Sequence, residues 1–234
     1  ANAAGVLAYV PFAGDAVSYA YKPADAAADA VLSSLTTAQL TAIYSAATPT
    51  TISGVTINPR LPQSNSGTRS FFLGAIGVST VGAAVPATDN TPSGPQENNA
   101  TVLGTNEIIP FSAGSWIAQN NGAAPNTIGT TGVQLGHPNG VSPFNGSGTS
   151  LTPNSAFYSA APFARDTYLV VEYARINPAD PKYDANLATL VNPSAGNNSF
   201  TSNGTLASNP GAVKAKFGFG APSTTSIQRA FATL

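Results

Sequence analysis

The run DTYLVVEYARI, residues 166–176, constrains the fold of this chain more than any other stretch. Its centre is apolar without alternation, the pattern of a strand buried on both faces, and such a strand needs a layer on each side. Strand-like and helix-like runs follow one another elsewhere. GVLAYVPFAGDAVSYAY (5–21) reads as a strand that turns at Pro11 and Gly14 and then resumes. SSLTTAQLTAIYSAA (33–47) sets Leu35, Leu40, Ile43 and Tyr44 at helical spacing, and Thr36 with Gln39 makes a capping box, so a helix is expected from about residue 37. GVTINPRLP (54–62) alternates as a short strand, and GTRSFFLGAIG (67–77) reads as a helix stopping at Gly77 with Phe71, Phe72 and Ile76 on one face. NEIIPFSAGSWIAQNNG (106–122) reads as strand, turn and helix with the only tryptophan, Trp116. PADPKYDANLATLVNP (178–193) reads as a helix with Tyr183, Leu187 and Leu190 on one face, and SIQRAFATL (226–234) as a closing helix. Residues 83–106 and 121–155 carry the composition of loops and very short strands. Strands alternating with helices predict an α/β fold.

Composition excludes several classes. A length of 234 residues with 42% hydrophobic content fills one large domain or two lobes. A net charge of −1 leaves no basic footprint, so no nucleic acid partner is expected. No run approaches the roughly 18 apolar residues of a spanning helix, so no membrane span is expected. With no cysteine there is no disulfide or thiolate chemistry. The chain has no methionine, hence no initiator, and only 8% charged residues; both fit a mature or cut form of an exported protein, extracellular or at the cell surface.

The stretch SNSGTRSFF (64–72) puts small hydroxyl residues, a glycine and an arginine at the start of a helix. A helix start offers unpaired N–H groups and the positive end of the dipole, which together hold an oxyanion. Ser66 and Thr68 add hydroxyl donors, Gly67 lets an anion approach the backbone, and Arg69 adds a charged fork. The plainer reading is an N-cap, which stabilises a helix by about 1 kcal/mol. On these residues alone both readings stay open.

Other candidates are weaker. His137, the only histidine, sits in a Gly/Pro turn and reads as a solvated loop residue. GSG at 146–148 lacks the strand and helix of a nucleophile elbow. Among the acids, Asp15, Glu97, Glu107, Asp166 and Glu172 stand out. Tyr9, Phe12, Tyr19 and Tyr21 alternate along a strand as core or wall. Sequons at Asn99, Asn145, Asn197 and Asn203 are expected by chance in so Asn/Ser/Thr-rich a chain.

Taken in order, AYVPFAGDAVSYAY, LTTAQLTAIYS, LPQSNSGTRSFFLGAIG, QENNATV, IIPFSAGSWIAQNN and FARDTYLVVEYARINPADPKYDANLATLVNP resemble the phosphate-binding-protein branch of the type II periplasmic substrate-binding proteins, in its secreted actinobacterial form. The resemblance runs over nearly the whole chain. It implies two α/β lobes joined by two crossing strands. Residues 1–15 would be the first crossing, 16–164 the second lobe with the SGTR motif, and 165–234 the second crossing with the C-terminal part of the first lobe. An N-terminal segment of the same protein, outside this chain, would complete that lobe. The resemblance also implies a binding protein rather than an enzyme, without cofactor or metal, that takes inorganic phosphate or another small oxyanion to an ABC transporter permease. Ser66, Gly67, Thr68 and Arg69 would contact the ligand, Asp15 and Asp166 would lie at the cleft or hinge, and QEN (96–98) would line the second-lobe side. Family members often carry an arginine and an aspartate just before the motif; here Arg60 is displaced and no carboxylate precedes Ser66. Two alternatives follow: a secreted adhesive or structural protein on the same fold, and a phosphoester hydrolase using His137 or Asp166.

Overall fold

The computed structural model describes residues 4–129, 132–196, 199–202 and 211–230. Two compact units emerge, Ala16–Ala164 and a second made of Ala1–Asp15 with Arg165–Leu234.

The unit Ala16–Ala164 is built on the second half of β1 (Leu7–Lys22). Helices α1 (Ala26–Leu32) and α2 (Thr37–Ser45) follow, then the hairpin β2 (Thr50–Ile52) and β3 (Val55–Pro59), and then α3 (Gly67–Ala75). After a long loop come β4 (Glu107–Ser112), α4 (Ala113–Asn120), the short strands β5 (Gln134–Leu135), β6 (Phe144–Asn145) and β7 (Thr152–Pro153), and α5 (Ser155–Tyr158). The sheet runs β2-β3-β4-β1-β5. β4 is antiparallel to β1, from Val17 opposite Ser112 to Lys22 opposite Glu107, and parallel to β3.

Local chemistry accounts for these elements. The Thr36–Gln39 capping box is formed at the start of α2. Ser53 and Gly54, both at positive φ (48° and 83°), turn β2 into β3. Gly77, at φ 69°, ends α3 as the sequence predicts. Where a turn was expected between β4 and α4, Ser112 instead closes the strand and caps the helix, its hydroxyl accepting from Ser115 N at 3.0 Å. The core lies between sheet and helices: Tyr19, Tyr21, Leu40, Ile43, Tyr44, Phe72, Ile108 and Phe111 are all almost fully buried. Tyr44 meets Phe72 edge to face at 5.4 Å between ring centres, and Trp116 meets Phe111 at 5.7 Å.

Among the described residues, the other unit holds the first half of β1, paired with β8 (Ala164–Glu172) and β9 (Gln228–Ala230), and the short helices α6 (Ala185–Leu190) and α7 (Gly211–Lys216). Four expectations fail here. β1 does not turn at Pro11 and Gly14 but runs unbroken for 16 residues. Gly14 is needed for close approach instead: it exchanges two 2.9 Å backbone bonds with Gly220, and a Cβ at residue 14 would lie 2.6 Å from the Ala221 carbonyl oxygen. β8 is not buried on both faces, and Val170 is 49% exposed. α6 is six residues long, about 9 Å, against about 30 Å for this nine-residue strand. The helix expected over 178–193 shrinks to α6, because Pro178 and Pro181 precede it and Asp184 caps it through Asn186 N and Leu187 N. The closing helix is replaced at Gln228–Ala230 by β9, which pairs with Leu7–Tyr9; residues 231–234, like the sequons at Asn197 and Asn203, lie outside the described residues.

Lys214 ties this unit together. Its ammonium donates to Phe12 O at 2.6 Å and Ser202 O at 3.3 Å and lies 4.4 Å over the Phe12 ring. Burial lowers its pKa from 10.5 to about 8. Above about pH 8 the unfolded chain therefore binds more protons at this residue than the folded one, and stability rises with pH. Denaturant midpoints measured at about pH 8 and about pH 9.5 will show this rise in the wild type, and Lys214→Met will remove Lys214's share of the slope. Gly14→Ala will destabilise the chain by about 1–3 kcal/mol in urea unfolding, as overpacking does.

Candidate functional site

Helix α3 begins at Ser66, whose side-chain oxygen accepts from Arg69 N at 3.1 Å, so the residue is an N-cap. Its hydroxyl proton goes elsewhere. Ser66 Oγ donates to Glu97 Oε2 at 2.5 Å, Thr68 Oγ1 donates to Glu97 Oε1 at 2.5 Å, and Thr68 N lies 3.4 Å from Glu97 Oε2. The mouth of α3 thus holds an anion, and that anion is the chain's own carboxylate. Ser66 and Thr68 are 3% and 0% exposed, so each hydroxyl needs a partner within the protein or a ligand. Gly67 is exposed, and a Cβ there would meet nothing within 4 Å among the described residues, so no packing among them requires glycine at this position.

The loop carrying Glu97 is fastened on both sides. Gln63 N donates to Pro95 O at 2.8 Å, just before it. Just after it, Asn98 takes a left-handed backbone (φ 59°), accepts from Ser112 N through its side chain at 2.9 Å, and accepts through its carbonyl from Gln119 Nε2 at 3.1 Å and Thr127 Oγ1 at 2.8 Å. These bonds aim Glu97 at α3. The side-chain oxygen of Gln63, three residues upstream of the cap, is buried and has no hydrogen-bond partner among the described residues.

Arg69, expected as a fork for an anion, is 9% exposed and turned behind the helix. Its guanidinium donates to Pro62 O at 3.0 Å, Asp89 O at 2.8 Å and Asn90 Oδ1 at 2.6 Å, and burial lowers its pKa. The partner of its carbonyl contact, Asp89, was not singled out from sequence. Its carboxylate is fully buried and accepts from Arg60 Nε at 2.8 Å, Arg60 Nη2 at 3.1 Å and Leu61 N at 3.1 Å. The Asp89 hydrogen bond is the largest cause of the raised Arg60 pKa, and Glu107, 3.2 Å away, adds to it. No local pattern marks Asp89; it is a lone acid in a loop 29 residues from its arginine.

The remaining candidates have partners of their own. Asp15 is 3% exposed and pairs with Arg165 at 2.8 Å. Asp166 accepts from Ser223 N at 2.9 Å and from the Ser223 hydroxyl. His137, expected to be solvated, is half-buried with its ring 6.1 Å from that of Phe144, and burial lowers its pKa. No group of three or more His, Cys, Asp or Glu among the described residues is arranged to hold a metal ion. None of the helices among the described residues is long and apolar enough to cross a membrane.

The fold has counterparts among solved structures. A protein described as a phosphate ABC transporter substrate-binding protein from Clostridium perfringens, with bound phosphate, superposes with a TM-score of 0.50 at 15% identity, covering 92% of this chain and 72% of its own. An ABC-type phosphate transport receptor from Vibrio cholerae gives 0.51 at 15% identity, covering 95% and 75%. No protein-family model matches the chain, and no curated protein matches its sequence. The chain therefore shares the α/β fold of these two solved proteins.

Replacing Asp89 by alanine leaves Arg60 and Leu61 N without their main acceptor. Because Glu107 keeps part of the Arg60 charge compensated, the expected loss is about 3 kcal/mol, at the low end for a broken buried pair, measured by urea unfolding.

Proposed function

We propose that this chain is an exported, extracellular or cell-surface solute-binding protein that takes phosphate or a similar small oxyanion at the start of α3 and passes it to an ABC transporter permease. The observation that carries the reading is the α3 mouth, where Ser66, Thr68 and the helix start already hold a carboxylate. Groups that stabilise one oxyanion are chemically equipped for another. Gly67 leaves open space beside them for a ligand to approach the backbone. Arg69 is a positioning residue in this reading, holding the helix start against the 89–90 turn. The fold, and the phosphate-transport roles of the two structural neighbours, support the same class.

The reading includes an N-terminal segment of the same protein that completes the Ala1–Asp15 and Arg165–Leu234 unit. Val6, Val170, Tyr183, Leu190, Phe200, Val213, Phe217 and Ile227 are exposed there, whereas Val141 is the exposed large hydrophobic residue of the other unit among the described residues. Asp15 and Asp166 serve as internal fasteners of that unit. A second reading, a secreted adhesive or structural protein on this fold, is favoured by Glu97 filling the mouth. Calorimetry with phosphate, sulfate and arsenate separates the two. Binding of at least one anion at millimolar concentration or below, lost in Ser66→Ala/Thr68→Ala, is expected of the receptor; silence with all three, in wild type and in Glu97→Gln alike, supports the structural protein.

A further inference from the structure

We propose that Glu97 is a built-in competitor at the oxyanion site, a side chain that occupies the donors of α3 and must leave before a free anion can use them. The proposal rests on the receptor reading and adds its regulation. A hydroxyl has one proton to donate, and those of Ser66 and Thr68 both point at Glu97, each at 2.5 Å. A phosphate at the same donors would also place like charges at one helix start, where they repel. Exchange is therefore an either-or event at these two hydroxyls.

The surroundings fit a side chain that moves on a loop that does not. Hydrogen bonds from Gln63 N to Pro95 O and from the Gln119 and Thr127 side chains to Asn98 O, with Ser112 N on the Asn98 side chain, fasten the chain on either side of Glu97. Glu97 itself is half-buried rather than enclosed, so rotation about its own side-chain bonds carries the carboxylate toward water. In its inward position it satisfies hydroxyls that are 0–3% exposed. The apparent affinity for an outside anion is then the intrinsic affinity reduced by the fraction of molecules in which Glu97 has swung out. Because the competitor is a charge and not a proton-specific contact, it weakens phosphate and sulfate alike.

The test is calorimetric titration of inorganic phosphate and of sulfate into wild type, E97Q, E97D and S66A/T68A, at one ionic strength, with circular dichroism confirming that each is folded. E97Q is expected to bind both anions at least about tenfold more tightly than wild type, with E97D, charged but one methylene shorter, in between. Binding first detectable in E97Q, and absent from wild type, supports the proposal equally. A wild type that binds phosphate, loses it in S66A/T68A, and is surpassed by neither E97Q nor E97D overturns the competition and leaves the receptor reading standing. So does a fall in phosphate affinity in E97Q, which would make the carboxylate a partner of the bound anion. No binding by any of the four proteins overturns both.

Discussion

A fully buried carboxylate, Asp89, sets the geometry on which the rest of the Ala16–Ala164 unit depends. A buried charge is tolerated only with a partner and with its lone pairs occupied. The Arg60 fork and the Leu61 amide meet that demand, which pins the 86–90 turn to the end of β3. From the opposite side Arg69 reaches from α3 to the Asp89 carbonyl and to Asn90. Glu107, at the start of β4, touches the same Arg60. One turn of chain therefore references two strands and a helix. Such an arrangement contributes less to net stability than to specificity of placement, and what it places is the start of α3.

At that helix start, capping and anion binding are not rival descriptions. The Ser66 oxygen accepts from Arg69 N, as a cap does, and its proton goes to Glu97, as an anion site requires. A hydroxyl both accepts and donates, so one residue does both at once. What distinguishes a receptor from a structural protein here is whose anion sits at the mouth, and that is decided by a loop 31 residues away.

Much of the fold was legible because its signals are local. The Thr36–Gln39 box, the Ser66 cap, the Gly77 stop and the strand-to-helix run ending near Asn120 all depend on neighbours a few residues apart. The misread pieces depend on distant ones. Gly14 looked like a turn because its partner, Gly220, is more than two hundred residues away in sequence. The run at 166–176 showed that a strand wants cover, and periodicity carries no record of whether the rest of the chain supplies it. Glu97 was visible as an acid near the site, but its pairing with Ser66 and Thr68 is created by the fold, through the backbone turn at Asn98. Asp89 had no local signature at all.

The borders of the two units fall at Asp15 and Ala16 and at Ala164 and Arg165, inside β1 and at the first residues of β8. Domain borders usually run through exposed linkers, where a protease or a gene designer can separate the halves. Here there is no such seam: each border severs hydrogen-bonded strand. Excised halves would carry frayed, sticky sheet edges in place of clean termini, so dissection by truncation is unsuited to this architecture, and circular permutation at a distant loop is the gentler route to rewiring it.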